Sequence, residues 1–249
     1  MTTTAESIYK RPLSWVALVA LLMAIVTVAV VVMSAMGFPM EWWGYGSSLK
    51  ILRGAVYSGV TAIVFSLLGI FMTWPGRRRR GLVISIIGLL IVVPVLAIPL
   101  YWSYAKSNLP PIQDISTDLE TPPEFWDAPT TRLYPGAAVA AQQRAAYPDI
   151  QPVTFPSPMN QVFDNAVAVV RERGWKLVAA ELDDGRIEAT VTTFWYGFKD
   201  DVVIRLTTVD AGTIVDMRST SRFGGGGDGG ANANRIRAFL AALKKKMTQ

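Results

Sequence analysis

Three long apolar runs dominate the first part of the chain: Leu13 to Met36, Ala55 to Trp74 and Leu82 to Trp102. Each is long enough, as a helix, to cross the ~30 Å hydrocarbon core of a bilayer. A cleaved signal peptide is the rival reading of the first run, but its apolar stretch exceeds the roughly 7–15 residues of such a segment and no clear A-x-A site follows. Trp15, Trp42, Trp43, Tyr45, Tyr57, Trp74, Tyr101, Trp102 and Tyr104 fall near the ends of the runs, as interfacial aromatic belts do. Gly54, Ser58, Ala62 and Ser66 form a small-residue stripe on one face of the second run. Such a stripe lets helix backbones approach closely, within this unit or against another protein's helix. Pro94 and Pro99 interrupt the third run and predict a kink. None of the three runs contains an ionisable residue, which disfavours a proton relay, a conduction pathway or transport by this chain alone.

The pattern changes after Trp102. Ten prolines fall between Lys106 and Pro158, a density that few long helices or central strands survive. Ile112, Ile115, Leu119, Phe125, Trp126, Leu133 and Tyr134 nevertheless supply apolar material there. The segment 105–157 therefore reads as an extended arm wrapped on a domain, not as a free linker.

A helix follows, with Ser157 at its N-cap, Pro158 at N1 and Gly174 at C′. Met159, Val162, Phe163, Ala166, Val169 and Val170 are its apolar stripe. Alternation predicts four strands: Trp175–Glu181, Arg186–Trp195, Asp201–Thr208 and Thr213–Arg222, with turns at Asp184–Gly185 and Ala211–Gly212. A last helix over Ala231 to Lys246 buries Ile236, Phe239, Leu240 and Leu243, and Lys244, Lys245 and Lys246 suit its C-terminal dipole. The expected fold is thus three N-terminal transmembrane helices (within 13–104) plus a C-terminal α+β domain whose core spans 158–249: helix, four-stranded mainly antiparallel sheet, helix.

Period-two alternation also assigns the faces of the sheet. Ile187, Ala189, Val191 and Thr193 point one way, with Val202, Ile204 and Leu206 as partners. Arg186, Glu188, Thr190, Thr192, Asp201, Arg205, Thr207, Asp216, Arg218, Thr220 and Arg222 share the other. Two helices cover only one face, so the polar one meets solvent, the arm or a partner, and a solvated charge ladder is the plainest expectation.

Charge sharpens the picture once it is divided along the chain. The net +5 splits into +6 up to Tyr104 and −1 from Ala105 onward, so the basic balance belongs to the membrane part and no nucleic-acid partner is expected. Lys10 and Arg11 precede the first span, and Arg77, Arg78, Arg79 and Arg80 fill the turn between the second and third, while Glu41, Lys50 and Arg53 lie in the first loop. The positive-inside rule then predicts a cytoplasmic N-terminus (1–12), the four arginines at the inner membrane surface, and the C-terminal domain outside, in a bacterial inner membrane.

The chain has no Cys and no His, which excludes disulfides, thiol nucleophiles, the Ser-His-Asp triad, His-ligated haem and the usual zinc sites. No catalytic residue, metal or cofactor is assigned. The segment Arg222-Phe-Gly-Gly-Gly-Gly-Asp228-Gly-Gly-Ala-Asn232-Ala-Asn234-Arg235 feeds a helix N-terminus and so has the form of an anion site. It lacks the Gly-Lys-Ser/Thr of a P-loop, and Asp228 is also suited simply to cap the helix. Candidate binding residues are Arg218, Arg222, Asp228, Asn232 and Arg235, with Glu188, Arg205, Asp114 and Asp118 as further charged positions. Asp200 and Asp201 point to opposite faces and make a poor acid–base pair, and Asp118 sits in a polar turn where Asp bonds its own backbone.

Several separated motifs resemble one family. Ile112-Gln-Asp-Ile-Ser-Thr-Asp-Leu-Glu-Thr-Pro-Pro123 and Tyr147-Pro-Asp-Ile150 resemble the opening of the bacterial and plastid family called domain of unknown function 1499. Arg186-Ile-Glu-Ala-Thr190, Gly197-Phe-Lys-Asp-Asp-Val-Val203 and Val215-Asp-Met-Arg-Ser-Thr-Ser-Arg222 are similar to its middle, and Gly229-Gly-Ala-Asn-Ala-Asn-Arg-Ile-Arg237 to its end. The resemblance covers about Pro110 to Leu243, leaves out the spans and implies no established activity. Gly224–Gly227 depart from the family's usual polar loop.

The leading expectation is a non-enzymatic accessory or scaffold protein that sits in the lipid bilayer and binds another membrane protein or complex through the polar sheet face and the arm. A domain binding a lipid headgroup or small anion is the alternative, and a carboxylate- and metal-dependent hydrolase is third.

Overall fold

The computed structural model describes residues 11–129, 133–223 and 226–248. Lys10 with the rest of the N-terminal segment, and Gly224 and Gly225 of the glycine-rich loop, lie outside the described residues. The chain divides into two compact units, Met1–Ser103 and Tyr104–Gln249.

Three helices are long and apolar enough to cross a membrane: α1 (Trp15–Gly37) and α2 (Tyr45–Thr73) in the first unit, and α3 (Leu82–Ser107), all but whose last residues belong to it. The second begins ten residues earlier than its apolar run, so Lys50 and Arg53 lie on α2 and not in a loop. At 29 residues α2 is about 43 Å long, more than the hydrocarbon core needs, so its first turns suit the headgroup layer. The assigned α3 continues through Pro94 and Pro99.

Small residues set the packing of this unit. Ala55, Gly59, Ala62, Ser66, Gly69 and Thr73 are buried on one face of α2, which takes in two members of the predicted stripe and leaves Gly54 exposed. A Cβ at Gly69 would stand 2.3 Å from Ser85 Oγ, and one at Gly59 2.7 Å from Leu96, so the approach of α3 depends on these glycines. Ser58 shares a 2.7 Å hydrogen bond with Thr27 of α1.

The second unit is a six-stranded antiparallel sheet with helices, two strands more than the alternation predicts. The four predicted strands are β3 (Lys176–Glu181), β4 (Arg186–Thr192), β5 (Lys199–Val209) and β6 (Gly212–Ser221), each within a few residues of its predicted limits. The additional strands, β1 (Asp114–Ser116) and β2 (Val153–Phe155), come from the Pro-rich arm. Both pair with the outer edge of β6, β1 along Arg218–Thr220 and β2 along Thr213–Val215, giving the order β1-β6-β5-β4-β3 with β2 beside β6. Proline forbids a long central strand, but three-residue edge strands between prolines satisfy the rule and cover the open edge of β6. The arm also contains a helix, α4 (Ala137–Ala146), in the Ala-rich stretch between Pro135 and Pro148.

α5 (Met159–Glu172) and α6 (Ala231–Met247) cover one face of the sheet. All the predicted stripe of α5 except Met159 is fully buried, and Gly174 takes φ +68° at its C-terminus. Its start is corrected by one position: Pro158, not Ser157, is the N-cap residue, and no side chain caps it. Ile236, Phe239, Leu240 and Leu243 of α6 meet Ile187, Ala189, Val202, Ile204, Val215 and Met217 in a single core. Each such side chain stabilises the fold by about 1.5–3 kcal/mol through removal from water. Trp175 stacks on Phe239 with ring centroids 5.8 Å apart. At the β3–β4 turn Gly185 has φ +60°, and a Cβ there would lie 2.3 Å from the Leu206 carbonyl oxygen, so the turn requires glycine.

Candidate functional site

Strand register brings the polar residues of the second face into rows. Arg186, Arg205 and Asp216 are cross-strand partners in one row, Glu188, Val203, Arg218 and Ser116 in the next, and Thr190, Asp201, Thr220 and Asp114 in the third. The expected solvated ladder is not what forms. Glu188, Asp201 and Thr220 are fully buried, and Arg218 keeps only 2% of its surface. The arm is the cover.

Buried charge is tolerated only with partners, and each group here has several. Arg218 donates from Nε and Nη2 to the two oxygens of Asp114, both at 2.8 Å, and from Nη1 to the Pro123 carbonyl. The rings of Phe125 and Tyr134 stand 5.0 and 5.6 Å from its guanidinium carbon. Arg205 donates to Asp118, to Asp216 and to the Thr121 carbonyl. Arg222 forks onto Asp201 and also donates to Thr190.

Glu188 is the acceptor on which the arm's irregular backbone settles. Its carboxylate takes the N–H groups of Trp126 (2.7 Å), Asp127 (3.1 Å) and Ala128 (2.6 Å). Arg186 bridges Glu188 and Asp127, and its guanidinium lies 4.3 Å from the Trp126 ring centroid. A loop laid over a sheet has no ladder for its amides, so a buried carboxylate that accepts three of them resolves the problem locally. Asp118 does the same for the turn after β1, accepting the N–H groups of Glu120 and Thr121 and the Thr121 hydroxyl. Burial pushes the Asp118 carboxyl up, but these bonds and Arg205 together hold it below the usual range.

The remaining candidates lie elsewhere. Arg235 is on the helix-covered face, donating to Asp200 at 2.5 Å and to Ser219 and Asn232. Burial raises the Asp200 carboxyl, against the pull of Arg235. Asn232, fully buried, donates to the Gln113 carbonyl and the Ser221 hydroxyl. Asp228 fills the N-terminus of α6 with its own carboxylate, accepting from the Gly230 and Asn232 amides. Arg218, Arg222 and Arg235 therefore do not converge on one anion: they are split between two faces and each already holds a carboxylate. Among the described residues no group of three or more Asp, Glu, His or Cys is placed to hold a metal ion.

What the arm leaves open is a groove of about 580 Å³ between residues 119–125 and the start of α4. Leu119, Phe125 and Leu133 give it apolar walls, Glu120 and Glu124 an acidic rim, and Arg218 with Tyr134 its base. The Tyr134 hydroxyl is buried and has no partner among the described residues, and burial beside the Asp114 carboxylate pushes it up to about 12. Arg144 of α4 pairs with Glu120 at 2.5 Å, and the pair forms a shared rim with a second depression of about 440 Å³. Among the described residues the lining offers carboxylates, a phenol and arginines.

Alternation put Glu188, Arg205 and Arg218 on one face, and the structure brings Asp114 and Asp118 of the arm to them; Gln143 and Tyr134 were not among the candidates. Gln143, fully buried on α4, donates to the Ser116 carbonyl at 2.6 Å and accepts the Ser116 N–H at 3.0 Å, so α4 fixes β1. A Gln-Gln-Arg step inside an Ala-rich run was the available signal. The family model described as "Protein of unknown function (DUF1499)" matches residues 114–243, from the first residue of β1 into α6. The match covers more than half of the chain, and the protein belongs to that family. No curated protein matches the chain.

Proposed function

We propose that this family member is a membrane-anchored accessory or scaffold protein, and that its outer domain holds a segment of another membrane protein in the arm groove. The groove itself is the observation that carries this reading. It combines the 82%-exposed Leu133, the Phe125 ring, a phenol with no partner among the described residues and an acidic rim. Such a lining suits a peptide carrying an apolar side chain next to a basic one. A free anion suits it less, because the arginine at its base is already neutralised by Asp114.

The proposal places the outer domain on the periplasmic side of a bacterial inner membrane. Support comes from the clustering of cations at one end of the helical unit. Arg11 donates to the Arg77 carbonyl at 2.6 Å, and the Ser14 N–H donates to the Arg80 carbonyl at 2.9 Å, so the residues before α1 lie beside the four-arginine turn. Positive charge concentrated there favours the cytoplasmic side, and an odd number of spans carries the chain across.

A photo-crosslinking residue in place of Leu133, in the full chain in native membranes, is expected to give one discrete protein adduct. Ala137→Trp, which fills the groove from an exposed position, is expected to abolish it, and the same probe at Asp210 to give none. A lone monomer in mild detergent with no adduct contradicts the proposal.

A further inference from the structure

The hairpin between β4 and β5 ends in Thr193-Phe-Trp-Tyr-Gly-Phe198, four aromatic residues among six. The turn is hydrogen-bonded internally: the Thr193 and Phe198 backbones bond at 2.8 Å, the Phe198 N–H donates to the Thr193 hydroxyl, and Gly197 N–H donates to the Thr193 carbonyl. Tyr196 stacks on Phe198 at 5.0 Å. This scaffold holds the other two rings outward, Phe194 with 91% and Trp195 with 61% of its surface exposed. Two large rings held in water by a hydrogen-bonded turn, with exposed Lys199 close by in sequence, ask for an apolar neighbour.

Topology names the neighbour. β1 runs antiparallel to β6, with Asp114 opposite Thr220, and the Ser221 N–H donates to the Gln113 carbonyl. The row Thr190, Asp201, Thr220, Asp114 and the bond from Arg222 N–H to the Lys199 carbonyl put the β4–β5 tip at the same end of the sheet. The chain therefore joins this domain at the end from which Phe194 and Trp195 project. Only residues 108–113 separate β1 from the end of α3, a tether of at most about 20 Å. The last turns of α3 carry Tyr101, Trp102 and Tyr104, the residue types that mark a bilayer interface. Lateral separation from β1 to β4 is three strand spacings, about 14 Å.

We propose that the Phe194–Trp195 tip is an interfacial anchor that inserts into the same bilayer that holds α1–α3. Trp and Phe at a tip favour the headgroup–acyl boundary, and Lys199 favours anionic headgroups. The tether keeps the tip at high effective concentration near the surface, so two rings suffice where a free domain would need more. The inference rests on the membrane reading of the three helices and does not depend on the groove.

The absence of cysteine makes the test direct. Single-Cys variants of the full chain, Thr192→Cys beside the tip, Asp210→Cys at the opposite end of the sheet and Leu68→Cys on the exposed face of α2, are labelled with an environment-sensitive fluorophore. They are then placed in nanodiscs of phosphatidylcholine and phosphatidylglycerol containing nitroxide-labelled lipid. The labels at 68 and 192 are expected to be quenched about twofold or more, and that at 210 to be unaffected. Adding Phe194→Asp and Trp195→Asp is expected to abolish quenching at 192 alone, and Phe194→Leu to keep it. Quenching at 68 without quenching at 192 overturns the anchor and leaves the membrane reading standing. So does shielding of 192 only in native membranes, which would assign the tip to a protein. No quenching at 68 overturns both.

Discussion

The two faces of the C-terminal sheet are built from the same strands and are solved by opposite chemistry. One carries Ile187, Ile204, Val215 and Met217 and is covered by two regular helices, chiefly through apolar burial. The other carries Arg186, Glu188, Arg205 and Arg218 and is covered by coil. A helix satisfies its own amides and asks of a sheet only apolar area. A proline-rich strap has amides with no partner, and it needs a sheet that supplies acceptors and donors. The polar face is thus the complement of the arm, and the charge ladder that seems made for solvent is the seat of an irregular segment.

The largest effects should come from deleting one member of each face. Phe239→Ala on the helix side and Arg218→Ala on the arm side are each expected to cost about 3–5 kcal/mol in urea unfolding of the C-terminal domain within the full chain. Their reversal should differ. Replacing Asp114 and Arg218 together by Leu and Met should restore most of the loss, because an apolar pair leaves no orphaned charge. A double substitution no better than Arg218→Ala alone would mean that the arm needs the ion pair for more than burial.

Asp228→Ala is expected to cost about 1 kcal/mol, since it frees two amides at the start of α6 without touching either face. Loss well beyond that would make the glycine-rich loop part of the core and not its edge.

The smallest effect is a pH dependence at the turn of the arm. Hydrogen bonds hold the folded Asp118 carboxyl below its ordinary value of about 3.9. Its stabilisation is therefore complete above that value and lost as pH falls through the lower, folded one. The melting temperature of Asp118→Asn should lie below that of the native chain near neutral pH, and the gap should close in acid. A gap that widens in acid would reverse the assigned sign.

The same contrast explains what was legible beforehand. Periodicity revealed the helices α1–α3, α5 and α6 and strands β3–β6, because each has an apolar stripe or an alternation long enough to register. It also grouped Glu188, Arg205 and Arg218 correctly on one face. It could not say what lies above them, since Trp126, Asp127 and Ala128 contribute backbone amides, which leave no mark on side-chain pattern. β1 and β2 were hidden for a related reason: three residues are too few to alternate, and their prolines argue against a strand until an edge is waiting for them. The groove is further from view, because its base, Arg218, and its walls, Leu119 and Leu133, meet only after the arm has folded over the sheet.

The buried carboxylate of Glu188 seats the arm on the polar face. Hydrogen–deuterium exchange of the segment 124–129 in the full chain reads this seating amide by amide. The Trp126, Asp127 and Ala128 amides should be protected like those of the neighbouring strands, and Glu188→Gln should release them while β5 and β6 stay protected. Exchange of these three amides at the rate of a free loop in the native chain would contradict the account.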